Sequence, residues 1–105
     1  LYKYEFTSRK GKTIFTSNAR ELRFECEEEI EVLKKECKKL VFTNFKSGNG
    51  KFFFKIFLHE VEIATSRKYT TLLLLQKAVL ELQQTITKSE ILDFSTQSFV
   101  DFFED

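Results

Sequence analysis

Residues 50–66 read Gly50-Lys51-Phe52-Phe53-Phe54-Lys55-Ile56-Phe57-Leu58-His59-Glu60-Val61-Glu62-Ile63-Ala64-Thr65-Ser66, and their alternation decides the fold. In a strand over 51–58, Phe52, Phe54, Ile56 and Leu58 take one face, while Lys51, Phe53, Lys55 and Phe57 take the other. His59 and Glu60 interrupt the run, and a second strand follows over 61–66. Beyond Ser66 the period lengthens. Leu72, Leu75, Val79, Leu82 and Ile86 form a stripe one helix face wide, which predicts a helix over about 71–87.

Sliding the sequence on itself by 49 residues brings back the same order. Ile14, Thr16 and Ser17 fall on Ile63, Thr65 and Ser66; Cys26, Ile30, Leu33 and Cys37 fall on Leu75, Val79, Leu82 and Ile86; Phe42 and Phe45 fall on Ile91 and Phe94. Agreement without gaps across strands and a helix points to duplication. In the first unit, Tyr2, Tyr4 and Phe6 alternate with Lys3, Glu5 and Thr7 over 2–7. Arg9-Lys10-Gly11-Lys12 makes a turn in which Gly11 is free to take a positive φ, and a strand follows over 13–17. Cys26, Ile30, Leu33, Cys37 and Leu40 then share one helical stripe, with glutamates leading and lysines trailing as the helix dipole favours. A strand over 41–46 runs into Ser47-Gly48-Asn49-Gly50, a strong hairpin-turn signal. The pattern predicts an α+β fold of two tandem ββαβ-type repeats, an antiparallel sheet with helices packed on one face. A single domain is expected over residues 1–98, with repeats at 1–49 and 50–98 and an acidic, Phe-rich tail at 99–105.

Gly50-Lys51-Phe52-Phe53-Phe54-Lys55-Ile56, then Glu62-Ile63-Ala64-Thr65-Ser66, then Tyr69-Thr70 and the helix, together resemble the repeat of the YegP-like family of small uncharacterised bacterial proteins. In that family an aromatic strand precedes a G-E-V-I-A-T-S-x-x-Y-x-S type segment and a helix, and many members carry the unit twice. The resemblance covers about forty residues of the second half. Lys12-Thr13-Ile14-Phe15-Thr16-Ser17 matches more loosely, without the family's leading strand, and Leu72, Leu73, Leu74 and Leu75 stand where the family has small residues. The resemblance implies a fold and a bacterial source. It carries no catalytic residue.

Composition narrows the function classes. The chain has 105 residues, 17 basic and 16 acidic side chains, one histidine, two cysteines and thirteen phenylalanines. A net charge of +1 gives no global attraction to nucleic acid or anionic membrane. Its distribution is uneven, +6 over residues 1–80 and −5 over 81–105. No apolar run approaches the ~20 residues of a membrane span. Cys26 and Cys37 are about 16 Å apart along a straight helix, beyond disulfide reach. They read as reduced, buried core thiols, which favours the cytoplasm.

Chemistry-bearing constellations are sparse. His59, beside Glu60 at a strand end, reads as a solvated turn residue. Glu25, Glu27, Glu28, Glu29 and Glu31 point around a helix, so they do not converge on a metal ion. The glycine-containing turn at 47–50 opens onto a strand, whereas a phosphate loop opens onto a helix N-terminus. No catalytic, cofactor or metal site is expected. What stands out is Lys51, Phe53, Lys55 and Phe57, a basic and aromatic alternation able to stack bases or dock a protein. The competing expectation is that Phe99, Phe102 and Phe103, on a short helix begun near Ser98, cover this face. The expected function is a non-enzymatic binding or assembly module, a protein-interaction or structural accessory subunit. The alternative is an RNA or single-stranded nucleic-acid-binding accessory protein, part of a ribonucleoprotein particle. The partners in view are a protein or larger assembly, RNA, and a second copy of the chain, with no membrane.

Overall fold

The computed structural model describes residues 1–8, 11–86, 90–93 and 98–100. In chain order its elements are β1 (Glu5–Thr7), β2 (Thr13–Ser17), α1 (Arg23–Lys35), a 3-10 turn (Cys37–Lys39), β3 (Val41–Lys46), β4 (Phe52–Leu58), β5 (Val61–Ser66), α2 (Leu72–Thr85), β6 (Glu90–Asp93) and β7 (Ser98–Val100). One sheet holds all the strands in the order β3-β4-β5-β2-β1-β7-β6. From β3 to β1 every neighbouring pair is antiparallel. Beyond them β7 runs parallel to β1, and β6 pairs antiparallel with β7.

The two repeats meet at β2 and β5, where Phe15 faces Ser66, Thr16 faces Thr65 and Ser17 faces Ala64. A shift of 49 residues exchanges the two strands, so an internal two-fold passes between Thr16 and Thr65. Hydrogen bonds obey it. The Asn18 N–H donates to the Ile63 carbonyl at 2.9 Å, and the Arg67 N–H to the Ile14 carbonyl at 3.0 Å. The Tyr4 N–H donates to Ser17 Oγ at 2.9 Å, and the Phe54 N–H to Ser66 Oγ at 2.8 Å. Each hairpin also bulges at the same isoleucine. Phe6 and Thr7 pair with Phe15 and Thr13, passing over Ile14; Ile56 and Phe57 pair with Ala64 and Glu62, passing over Ile63. An extra residue of this kind bends and twists the strand.

The first repeat does have a leading strand: β1 stands where β4 stands in the second. Because the first hairpin turn is one residue longer, β1 and β4 are related by a shift of 50, not 49. That difference hides β1 from a gapless comparison. Gly11, at φ 85°, supplies the left-handed turn residue expected there, and Gly50, at φ 84°, closes the turn before β4.

Both helices lie on one face. Cys26, Ile30 and Leu33 of α1 and Leu75 and Leu82 of α2 join Phe15, Phe54, Ile56 and Ile63 in one buried cluster. The four equivalences at 49 residues place Cys26 with Leu75, Ile30 with Val79, Leu33 with Leu82 and Cys37 with Ile86, and the helices begin at equivalent residues, Arg23 and Leu72. Thr71 caps α2, its side chain accepting from the Leu74 N–H at 3.2 Å. Glu25 caps α1 from within, accepting from the Leu22 N–H at 2.9 Å.

The apolar stripes are shorter than their periodicity predicts. Helix α1 ends at Lys35, so Cys37 sits half-buried in the 3-10 turn and Leu40 is buried beyond it. The cause is the backbone at Glu36 (φ −109°, ψ 30°), which leaves the helix so that the chain can turn into β3. Cys37 is therefore not the fully buried helix residue expected, although both cysteines are free. Leu72, Leu73 and Leu74 are all exposed, so the first turn of α2 lies outside the core and Leu72 does not belong to the buried stripe.

Candidate interaction face on the second repeat

Strand β4 sorts its side chains as the alternation predicts. Phe54, Ile56 and Leu58 are buried beneath the helices, while Phe53, Lys55 and Phe57 turn the other way and are half-buried. Lys51, exposed, stands just before the strand, where its N–H donates to Ser47 Oγ at 3.2 Å and its carbonyl accepts from the Ser47 N–H at 2.7 Å. The register of β3 on β4 adds three side chains to this outer face. Val41 lies opposite Phe57, Thr43 opposite Lys55, and Phe45 opposite Phe53.

Phe45 and Phe53 form a stacked pair, with ring centroids 5.5 Å apart and planes 19° apart. Lys55 Nζ lies 5.7 Å from the Phe45 ring centroid and 3.2 Å from Glu62 Oε1 on β5. The central charge of the face is thus engaged twice, by a ring and by a carboxylate. Lys46, one residue after Phe45, lies opposite Phe52 on the other side of the sheet, its Nζ 5.8 Å from that ring centroid. Val41 is 56% exposed and Phe45 38% exposed, so the apolar surface continues to the edge of the sheet.

The duplicated half shows what this face need not be. The positions equivalent to Phe53, Lys55 and Phe57 are Lys3, Glu5 and Thr7. Where Lys55 pairs with Glu62, Glu5 accepts from Thr13 Oγ1 at 2.7 Å, Thr13 being the equivalent of Glu62. Inward positions stay apolar in both repeats, with Tyr4 and Phe6 matching Phe54 and Ile56. The outer face is polar in one repeat and aromatic in the other, so the fold does not require aromatics there.

Phe45 and Val41 belong to the face although sequence reasoning missed them. The repeat comparison sets Phe45 on Phe94 and says nothing of which face either takes. Phe42 and Phe45 are three apart on a strand, so they must face opposite ways, and that parity was the available signal. Phe42 takes the inner side against Phe54, with centroids 5.6 Å apart. Ser98–Val100 is a strand, so the helix expected from Ser98 is not formed there. Its backbone places Phe99 opposite Phe6 on β1, separated from β4 by β1, β2 and β5. Phe102 and Phe103 lie outside the described residues.

The acid run is only partly a solvated helix face. Glu29 reaches inward, accepting hydrogen bonds from the Tyr4 hydroxyl and from the Arg20 guanidinium. Burial, and then the nearby Glu29 carboxylate, push the Tyr4 phenol well above 10.0, and the same carboxylate raises Arg20. Glu27 pairs with Arg23 one turn away at 3.5 Å. His59 occupies the β4–β5 turn as expected, 3.1 Å from Glu36 Oε1. Among the described residues no three His, Cys, Asp or Glu side chains are grouped to hold a metal ion, and no helix is long and apolar enough to cross a membrane.

These features define a small α+β fold built from a duplicated ββα unit. The same fold is found in the solution structure of a protein of unknown function, yegP from E. coli, with a TM-score of 0.58, 18% identity and coverage of 78% of this chain and 82% of that one. A UPF0339 protein from Shewanella oneidensis matches with a TM-score of 0.56, 13% identity and coverage of 82% of this chain and 84% of that one. No protein-family model matches the chain, and no curated protein sequence does. The resemblance seen in the sequence is thus met at the level of fold.

Proposed function

We propose that the chain is a non-enzymatic binding and assembly module that offers the outer face of β3 and β4 to a protein partner. The observation that carries this reading is the Phe45–Phe53 stack, flanked by Val41 and Phe57 on the side of the sheet away from both helices. An aromatic and aliphatic centre with Lys51 at its margin suits a protein interface, whose core is apolar and whose rim is polar. The polar Lys3, Glu5 and Thr7 at the equivalent positions support a role outside folding. Two free cysteines fit the reducing cytoplasm.

RNA binding is the second reading, favoured by Lys51 at the edge of the aromatic face. It is the weaker of the two because Phe45 and Phe53 already stack on each other and Lys55 is engaged by Glu62. A pull-down from native lysate, with and without nuclease, compares the parent with the Phe53→Ala/Phe57→Ala variant. The protein-interface reading requires a partner that survives nuclease and high salt and is lost from the variant. Capture that collapses with nuclease or falls steeply with salt replaces it with the RNA reading. Undiminished capture by the variant removes the face from both.

A further inference from the structure

The sheet ends on one side in β3, and we infer that this edge pairs with β3 of a second copy in an antiparallel, two-fold register centred on Thr43. Among the described residues β3 pairs with β4 alone, over six residues and without a register shift, whereas the β1–β2, β4–β5 and β6–β7 pairings all contain one. An edge strand is normally protected by a bulge, a proline or charges. Strand β3 has no proline, and its one charged residue, Lys46, stands at its end. The opposite edge, β6, carries Glu90 and Asp93 within four residues. The two edges thus differ in sequence, and among the described residues the β3 edge is the one with no charge inside its strand.

The register follows from parity. A two-fold perpendicular to the sheet keeps each face on its own side, so the residue on the axis must pair with itself. Centring on Thr43 sets Val41 of each copy opposite Phe45 of the other, joining the two exposed apolar side chains of the strand. Together with the contacts to β4, this makes two continuous apolar rows of Phe57, Val41, Phe45 and Phe53, the last two from the second copy. Centring on Asn44 would instead set Phe45 against Thr43 and leave Val41 beyond the paired strand. The charges also fit. Lys46 of each copy lies at opposite ends of the paired strands, and each Lys55 keeps its own Glu62. An interface one strand wide is small, so association should be weak, with Kd in about the tens of micromolar.

This pairing enlarges the face proposed for a partner but rests on the edge, so either can fail alone. Sedimentation of the full chain up to about 0.5 mM, a range set by that affinity, should show a reversible monomer–dimer equilibrium. Thr43→Lys, which adds two facing ammonium groups to a row already holding Lys55 of both copies, should weaken it at least about ten-fold with the circular dichroism unchanged. Thr43→Val should not weaken it. Oxidation of Thr43→Cys should give a covalent dimer, and Asn44→Cys should not. If Thr43→Lys fails to fold, the cysteine pair decides. A monomer throughout the range, an open-ended polymer, a dimer indifferent to Thr43→Lys, or equal cross-linking from both cysteines would overturn the inference.

Discussion

Thr16 faces Thr65 across the centre of the sheet, and the two occupy the same place in their respective repeats. Everything nearby comes twice. Ser17 and Ser66 each receive the backbone N–H of a buried aromatic residue, Tyr4 just before β1 and Phe54 within β4, and Ile14 and Ile63 each form the bulge. A side chain kept at both ends of this symmetry serves the fold, and one that differs is free to serve something else.

The serines give the first prediction. Ser17→Ala leaves the Tyr4 N–H buried without its acceptor, and Ser66→Ala does the same to Phe54, so each should cost about 1–3 kcal/mol. Urea unfolding should give similar losses for the two. A loss from one substitution alone would contradict their equivalence.

The Tyr4 phenol gives the second. Its native pKa lies well above the ordinary 10.0, so below pH 10.0 both folded and unfolded states keep the proton and stability is unaffected. Above that value the unfolded phenol ionises first, and stability should fall as pH rises, by about 1.4 kcal/mol per pH unit, until the native phenol also titrates. Alkaline unfolding curves should be less steep for Tyr4→Phe. An unchanged slope would show that this hydroxyl is not held neutral.

A third concerns the cysteines. Cys26 is fully buried, and its thiol is pushed up from 9.0 first by burial and then by Glu29, whereas Cys37 is half-buried. The thiolate is the reactive form, so a thiol reagent should label Cys37 in the native chain and Cys26 only on unfolding. Equal labelling rates would refute the packing of α1.

The β4–β5 turn gives a fourth. His59 and Glu60 both have positive φ, 51° and 67°, in a two-residue turn where asparagine and glycine are the favoured pair. His59→Asn/Glu60→Gly should stabilise the chain by about 1 kcal/mol, since the exposed His59–Glu36 contact contributes little. A loss of stability in urea would mean that this contact matters more than the backbone strain.

Much of this fold was legible because core positions repeat. Cys26, Ile30 and Leu33 and their partners 49 residues on declare two helices of one kind, and β2, β3 and β5 have the limits that alternation predicts. What escaped was set by non-local geometry. Nothing in the local pattern says that β2 pairs with β5, or that Glu29 turns inward to meet Tyr4 and Arg20 while Glu27 and Glu28 do not. The turn to β3 ended α1 at Lys35, against a periodicity that runs on to Leu40. Of the candidate face, Phe53, Lys55 and Phe57 were readable from one strand. Phe45 and Val41 required the register of its neighbour.

The most direct test of the account transplants the first repeat's outer residues onto the second. Lys3 and Thr7 are the equivalents of Phe53 and Phe57, so Phe53→Lys/Phe57→Thr asks whether those aromatics serve folding or binding. Urea unfolding of this variant should remain cooperative and cost no more than about 2 kcal/mol in all, against about 3–5 kcal/mol for the buried Phe54→Ala. A variant that unfolds, or that loses as much as Phe54→Ala, would show that Phe53 and Phe57 belong to the fold and would contradict their assignment to an interaction face.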